Sequence, residues 1–256
     1  LAAQQNGFPG AGFQDLFELE AGTFWFRSRN KLIFWVMRKY FADARNFLEI
    51  GCGTGSVLTG MEREFPNLSL SGSELQTSGL LHVARRLRNV AISQMDARMV
   101  PFVSEFDVVG CFDVLEHTAE DTVVLTQIFK ALRLSGGAML TVPPHQFLRG
   151  QDDEYAQHAR RYRLIKLKEK LMSAGFRLLH LTSFVLLLLP LMMASHCWKR
   201  LASAPYDPTS EFRIGRPVNQ ALERVLDVER TMISCGISFP FGGSLLALAQ
   251  KPHAAD

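Results

Sequence analysis

The apolar positions of this chain change rhythm twice. Over residues 24–41, FWFRSRNKLIFWVMRKYF, Phe26, Ile33, Phe34, Met37 and Phe41 recur at roughly helical spacing, with Arg and Lys between them. That predicts an amphipathic helix packed on another element. From residue 46, short apolar runs alternate with longer helical patterns. NFLEI, LSLSGSE, NVAISQ, FDVVGCF, GGAMLTV and FRLLHLTSF read as strands, and SVLTGMEREF, QTSGLLHVARRL, EDTVVLTQIFKAL and LIKLKEKLMSAG as helices. Asp and Glu open the third of these helices, where the helix dipole favours them, and Pro143 and Pro144 end the fifth strand. Such alternation predicts an α/β fold, a parallel sheet with helices on both faces.

The second change comes at residue 184. The apolar run FVLLLLPLMMA, broken by Pro190, leads into a polar loop, SAPYDPTSEFRIGRP. VNQALERVLDVERTMI then puts Val218, Leu222, Val225 and Met232 near one helical face, and SLLALAQK reads as a last strand. The expected organisation is a tail and helical cap over 1–45, a core over 46–183, an apolar and helical lid insertion over 184–240, and the last strand and tail over 241–256. The glycine-rich start, LAAQQNGFPGAG, is expected to fray. A spanning helix needs about 20 apolar residues, so the run at 184–194 reads as buried or interfacial.

Composition narrows the class. Of 256 residues, 47% are hydrophobic and 21% charged, which suits a globular domain with a sizeable core. A net charge of +3 is too small to imply a polyanion, so no nucleic-acid partner is expected. Cys52, Cys111, Cys197 and Cys235 form no CxxC pair and read as reduced thiols of a cytoplasmic protein. No signal-like segment is visible, although the chain begins at Leu1 without a Met, so its start stays open.

The densest chemistry lies in LEIGCGTGS, residues 48–56. Gly51, Gly53 and Gly55 follow a strand and open a helix, which is how a backbone is stripped to approach a nucleotide cofactor. Ser56 stands where a dinucleotide fingerprint carries its third glycine. Glu49 offers a carboxylate suited to an ammonium group rather than a pyrophosphate.

Glu49-Ile-Gly51-Cys52-Gly53-Thr-Gly55 resembles motif I of the class I S-adenosylmethionine-dependent methyltransferases, and the order of elements extends the resemblance over residues 24–251. It implies a Rossmann-like seven-stranded sheet of order 3-2-1-4-5-7-6, the last strand antiparallel, with an N-terminal helical extension and a helical insertion before that strand. It implies S-adenosylmethionine as cofactor and S-adenosylhomocysteine as product. Glu74, with Leu75 beside it, falls where the family binds the ribose hydroxyls, and Asp96, with Ala97, where it approaches the adenine amino group. Phe112 and Asp113 end the fourth-strand motif, FDVVGCFDVLEH, against the cofactor and its methyl group. DDEYAQHARRY resembles a D…HxRRY signature of a bacterial subgroup that also carries FWFR. There the two segments cover cofactor and acceptor, with Arg27 or Arg29 toward the methionyl carboxylate. Surface roles for both arginines are the competing reading.

His117, His145 and His158 fall in loops at the carboxyl edge of the sheet, and each is a candidate base, with loop bracing as the alternative. Asp113, Glu116 and His117 share an i, i+3, i+4 spacing. Ubiquinone-pathway O-methyltransferases carry a similar cluster with a divalent metal, but related enzymes without metal share the string, and no metal is expected here. The apolar insertion, with Trp198, Lys199 and Arg200 following it, implies a small-molecule or lipid-linked acceptor, and transfer is expected at oxygen ahead of nitrogen or carbon. It also implies a peripheral membrane contact through 184–200. Packing of the run beneath the helix at 217–233 is the alternative. Two other functions stay open: a nicotinamide-dependent oxidoreductase and a non-catalytic cofactor-binding module.

Overall fold

Seven strands form one sheet of order β3-β2-β1-β4-β5-β7-β6 in the computed structural model, which describes residues 9–10, 12–201 and 213–253. β1 (Asn46–Ile50), β2 (Ser69–Glu74), β3 (Ala91–Gln94), β4 (Phe106–Phe112) and β5 (Leu132–Val142) pair in parallel. β7 (Ser244–Gln250) runs antiparallel between β5 and β6 (Arg177–Phe184). The fold is the Rossmann-like sheet that the sequence implies.

Successive residues of the central strands feed opposite cores. Phe47, Val108, Met139 and Leu248 face Met37 of α2 (Phe24–Tyr40), Leu58 of α3 (Ser56–Glu64), Val83 of α4 (Thr77–Arg86) and Leu226 of α9 (Arg216–Ser234). Leu48, Val109, Leu140 and Ala247 face Leu125 of α5 (Asp121–Ala131) and Leu167 of α7 (Leu164–Ser173). Strands buried on both faces read as continuous apolar runs, which is why FDVVGCF and SLLALAQ show no alternation.

Four features depart from expectation. A helix, α1 (Gly12–Leu19), follows the tail, whose residues 1–8 and 11 lie outside the described residues. β5 starts at Leu132, ahead of the GGAMLTV expected, across a register shift against β4. The apolar run at 184–194 is divided: Phe184 ends β6, Val185 turns at φ 65°, and α8 (Leu189–Leu201) begins. Pro190 therefore stands in the first turn of a helix, where its missing N–H costs nothing, rather than breaking one. Finally, α9 buries Asn219, Glu223, Leu226, Glu229 and Ile233, while Val218 is exposed and Leu222, Val225 and Met232 flank the buried stripe. The cause is α2: Arg27 and Lys31 pair with Glu223, and Lys31 with Asp227, so the polar edge of α9 turns inward. Most of the polar loop, residues 202–212, lies outside the described residues, as do the side chains of Lys199 and Arg200.

Candidate functional site

One cavity of about 760 Å³ opens at the carboxyl ends of β1, β2 and β4, the edge at which open α/β sheets bind ligands. Its floor is the glycine turn. Gly51, Gly53 and Gly55 all have positive φ, at 71°, 56° and 82°. A Cβ on Gly51 would stand 2.3 Å from the Val114 side chain, so only bare main chain fits there. Cys52, between two of these glycines, is buried on the cavity wall, and burial pushes its thiol well up.

Three acids come to this turn as expected, but in different states. Glu49 is buried at the end of β1, and its Oε2 has no hydrogen-bond partner. Burial pushes its carboxyl well above the ordinary range, against the nearby Arg29. Glu74 accepts hydrogen bonds from the N–H groups of Gly53 (3.0 Å), Leu75 (2.8 Å) and Gln76 (3.1 Å). Burial still raises its carboxyl, because those bonds offset the lost water only in part. Asp96 and Ala97 line the cavity, but both Asp96 oxygens accept from Arg98, at 2.6–3.1 Å, and this holds the carboxyl below its usual range.

The two candidate arginines separate. Arg27 is half-exposed and turned to Glu223. Arg29 is buried on the cavity wall, over the Trp25 ring (4.8 Å), and pairs with Asp113 at 2.6 Å. Asp113 follows the end of β4 at φ 56°, next to Phe112, so the fourth-strand motif turns sharply into the cavity. α1 roofs the cradle: Phe13 and Leu16 line the cavity, and Glu20 just beyond the helix is tied to Arg86 of α4 at 2.7 Å.

Beyond the cradle, two loops meet. A short 3-10 turn, Leu115–His117, follows β4. The HARRY segment is fastened over it: Ala159 donates to the Glu116 carbonyl (2.7 Å), and the Tyr162 hydroxyl reaches the Leu115 carbonyl (3.2 Å) and Asp121 (2.7 Å). This brings His158 against His117, with ring centroids 4.7 Å apart. Burial first, then His158, pushes the His117 imidazole down to about 4. His158 Nδ1 lies 2.8 Å from Asp153, which also accepts from Arg161 Nε (2.8 Å) and the Gly150 N–H (2.8 Å). Those hydrogen bonds hold the Asp153 carboxyl far below its usual range despite burial. A carboxylate only accepts, so His158 Nδ1 carries a proton and donates to Asp153, and its Nε2 faces Glu116 Oε1, 3.9 Å away. His145 does not join this group. It is stacked between Phe147 and Phe241, off the cavity wall.

Sequence reasoning names His158 but not the two groups that set it, Asp153 and Arg161. The spacing of Asp153 five residues before His158 is the signal that points to them. The apolar insertion, which the sequence offers as lid and acceptor contact, supplies the far wall of the cavity through Val185, Leu188, Leu191 and Met192.

The chemistry of this site fits the implied cofactor. A stripped turn, an orphaned buried acid for an ammonium and an anchored carboxylate for a ribose diol occur together on one cavity wall. Comparison with known proteins agrees. A methyltransferase-domain family model matches residues 20–181. A probable S-adenosylmethionine-dependent methyltransferase of Mycolicibacterium smegmatis is 27% identical over 181 residues, covering 68% of this chain and 67% of that protein. Two solved structures share the fold. One is the complex of the Haloferax volcanii Trm112 methyltransferase activator with a methyltransferase: TM-score 0.63, 14% identity, 95% of this chain and 94% of that one. The other is the Haemonchus contortus phosphoethanolamine N-methyltransferase 2 with phosphomonomethylethanolamine and S-adenosylhomocysteine: TM-score 0.57, 18% identity, 88% of this chain and 53% of that one. These matches favour a methyltransferase over the nicotinamide reading.

Proposed function

We propose that this chain, which belongs to the class I S-adenosylmethionine-dependent methyltransferases, moves the methyl group to an oxygen atom of a small amphipathic or lipid-linked molecule. One observation carries the reading. The cavity that holds the glycine cradle continues without a break to the polar group of Glu116, His117 and His158 and to the apolar wall of Val185, Leu188, Leu191 and Met192. The imidazoles and the carboxylate suit an acceptor oxygen and its proton, and the apolar wall suits a hydrocarbon part.

The cofactor supplies a methyl group already activated by its sulfonium. The chain therefore has to hold, orient and keep out water. Glu49 takes the ammonium, Glu74 the ribose diol, and Arg29, once released from Asp113, the carboxylate. Asp96 shares its oxygens between Arg98 and the adenine edge. Together these fix the methyl carbon relative to the polar pole, and positioning of this kind is worth up to about 7–11 kcal/mol of barrier. α1 and the apolar wall exclude water from the line of transfer.

Calorimetric titration with S-adenosylhomocysteine and with NAD tests the cradle. The expected result is binding of the first and none of the second. Glu74→Ala is expected to raise the S-adenosylhomocysteine Kd about 10–100-fold, since hydrogen bonds to charged groups are worth about 1.5–3 kcal/mol. Transfer of labelled methyl into a cell extract tests turnover, with label expected in an amphipathic fraction. Binding without any transfer would favour the non-catalytic reading.

The peripheral membrane contact is part of the same proposal. Leu187, Leu191, Met193 and Trp198 are exposed on or just before α8, whose Leu191 and Met192 line the cavity, although among the described residues no helix is long and apolar enough to cross a membrane. Flotation with lipid vesicles is expected to carry the protein upward. Protein left at the bottom of the gradient would remove the membrane contact while leaving the acceptor class untouched.

A further inference from the structure

We infer that Glu116, His117 and His158 form a binding site for one divalent first-row transition-metal ion, with its open coordination positions toward the acceptor end of the cavity. One donor atom from each residue lies within 4.8 Å of the others, and all three residues line the cavity. Metal–nitrogen and metal–oxygen bonds of about 2.0–2.2 Å need only a small inward adjustment of these side chains.

The donor atoms of Glu116 and His117 are also left unsatisfied. Glu116 is fully buried, and neither of its carboxylate oxygens has a hydrogen-bond partner. A buried carboxylate left like this is costly unless something positive meets it. Arg161 acts on it only through space, and no neighbouring side chain hydrogen-bonds to it. His158 turns Nε2 toward Glu116, because its Nδ1 is held by Asp153. His117 Nδ1 is buried and has no partner. Arg161 gives its Nε to Asp153 and its Nη1 to the Pro144 carbonyl, and makes no hydrogen bond to Glu116. An orphaned buried carboxylate and two imidazole nitrogens thus face one another on one cavity wall, an arrangement that a cation would complete.

The outer contacts agree. A ligating histidine usually gives its other N–H to a carboxylate that fixes the ring. Asp153 does this for His158, and is itself pinned by Arg161 and Gly150. Two imidazoles and one carboxylate with open positions suit Fe²⁺, Mn²⁺, Co²⁺ or Zn²⁺ better than Mg²⁺ or Ca²⁺, which prefer all-oxygen shells. Asp113, which the sequence spacing groups with Glu116 and His117, is taken by Arg29 instead. His158, from a loop about forty residues away, holds the third place, which sets this proposal against the expectation of no metal. The ion itself does not depend on the function proposed above. Only its outer ligand, a hydroxyl oxygen of the acceptor, rests on that reading.

Tag-free protein stripped with a chelator would be titrated with Co²⁺, followed by its visible absorption, and with Zn²⁺ by calorimetry. S-adenosylhomocysteine would be titrated in parallel to report an intact cradle. One Co²⁺ per chain is expected. Glu116→Gln, His158→Ala and Asp153→Asn should each weaken it about 10-fold or more, the loss usual for ligand and outer-contact changes, while still binding S-adenosylhomocysteine. No stoichiometric uptake by the parent protein, or uptake unchanged in both Glu116→Gln and His158→Ala, would overturn the site. Co²⁺ uptake without S-adenosylhomocysteine binding would uphold the metal site and count against the methyltransferase reading.

Discussion

Gly51→Ala is expected to lower affinity for S-adenosylhomocysteine by about 100-fold or more while leaving a folded protein. Two costs act at the same atom. The position has φ 71°, and an L-residue in left-handed geometry loses roughly 1–2 kcal/mol. The added methyl would also stand 2.3 Å from Val114 Cγ2, a distance no real contact shows, so either the turn or Val114 must move. Val114 lies between Asp113, which holds Arg29, and the Leu115–His117 turn. Movement there disturbs the cradle and the acceptor pole together. Gly236 supplies the control. Its φ is 95°, yet a Cβ there meets nothing within 4 Å, and it lies beyond α9, away from the cavity. Gly236→Ala should cost only the left-handed strain, roughly 1–2 kcal/mol, and no affinity. Calorimetry and thermal melting of both variants decide the matter. A Gly51→Ala protein that binds like the parent would mean that the turn is not the cofactor seat.

The contrast between these two glycines shows what the sequence can and cannot say. Positive φ is inferable at Gly51 from its place after a strand and before a helix, and that inference also locates Glu49. The doubly buried strands are legible for a related reason: apolar runs bounded by Gly and Pro have few other uses. α1 is not legible, because of its eight residues only Gly12 and Phe13 are buried, and its place depends on Glu20 meeting Arg86 and Thr54, distant in sequence. The buried face of α9 is misjudged for the same kind of reason. Its register answers to Arg27 and Lys31 on α2, not to its own apolar residues. His145 and His158 look alike as loop histidines. Only the fastening of the HARRY segment by Ala159 and Tyr162 carries one to His117, while two phenylalanines hold the other aside.

That fastening has its own weak point, Asp121. Its carboxylate is 2% exposed and accepts from Arg160 (2.9 Å), Lys170 (2.8 Å) and the Tyr162 hydroxyl (2.7 Å). Asp121→Ala leaves all three donors without their acceptor. Removing one side of a buried ion pair costs about 3–5 kcal/mol. The lower end applies, because Arg160 and Lys170 keep about a third of their side-chain surface in water. For a chain of this size about 1 kcal/mol shifts Tm by roughly 2–4 °C, so a fall on the order of 6–12 °C is expected. Glu169→Ala, which breaks the exposed pair to Lys166 on the same helix as Lys170, should cost about 0.5 kcal/mol or less. The pH dependence follows from the sign of the shift. Burial alone would raise the Asp121 carboxyl, but hydrogen bonds from Lys170 and Tyr162 outweigh it and hold the value below the ordinary one. A group depressed on folding stabilises above its unfolded pKa, about 3.9 for Asp, and that contribution is lost as pH falls through the folded value. The gap in Tm between parent and Asp121→Ala should therefore be constant near neutrality and close below about pH 4. The function should split along the same line: S-adenosylhomocysteine affinity stays near that of the parent, because no cradle residue touches Asp121, while Co²⁺ uptake weakens as Tyr162 releases the loop that holds His158. Equal loss at both ends of the cavity would mean that the cradle and the acceptor pole are one cooperative unit rather than two sites joined by a fastened loop.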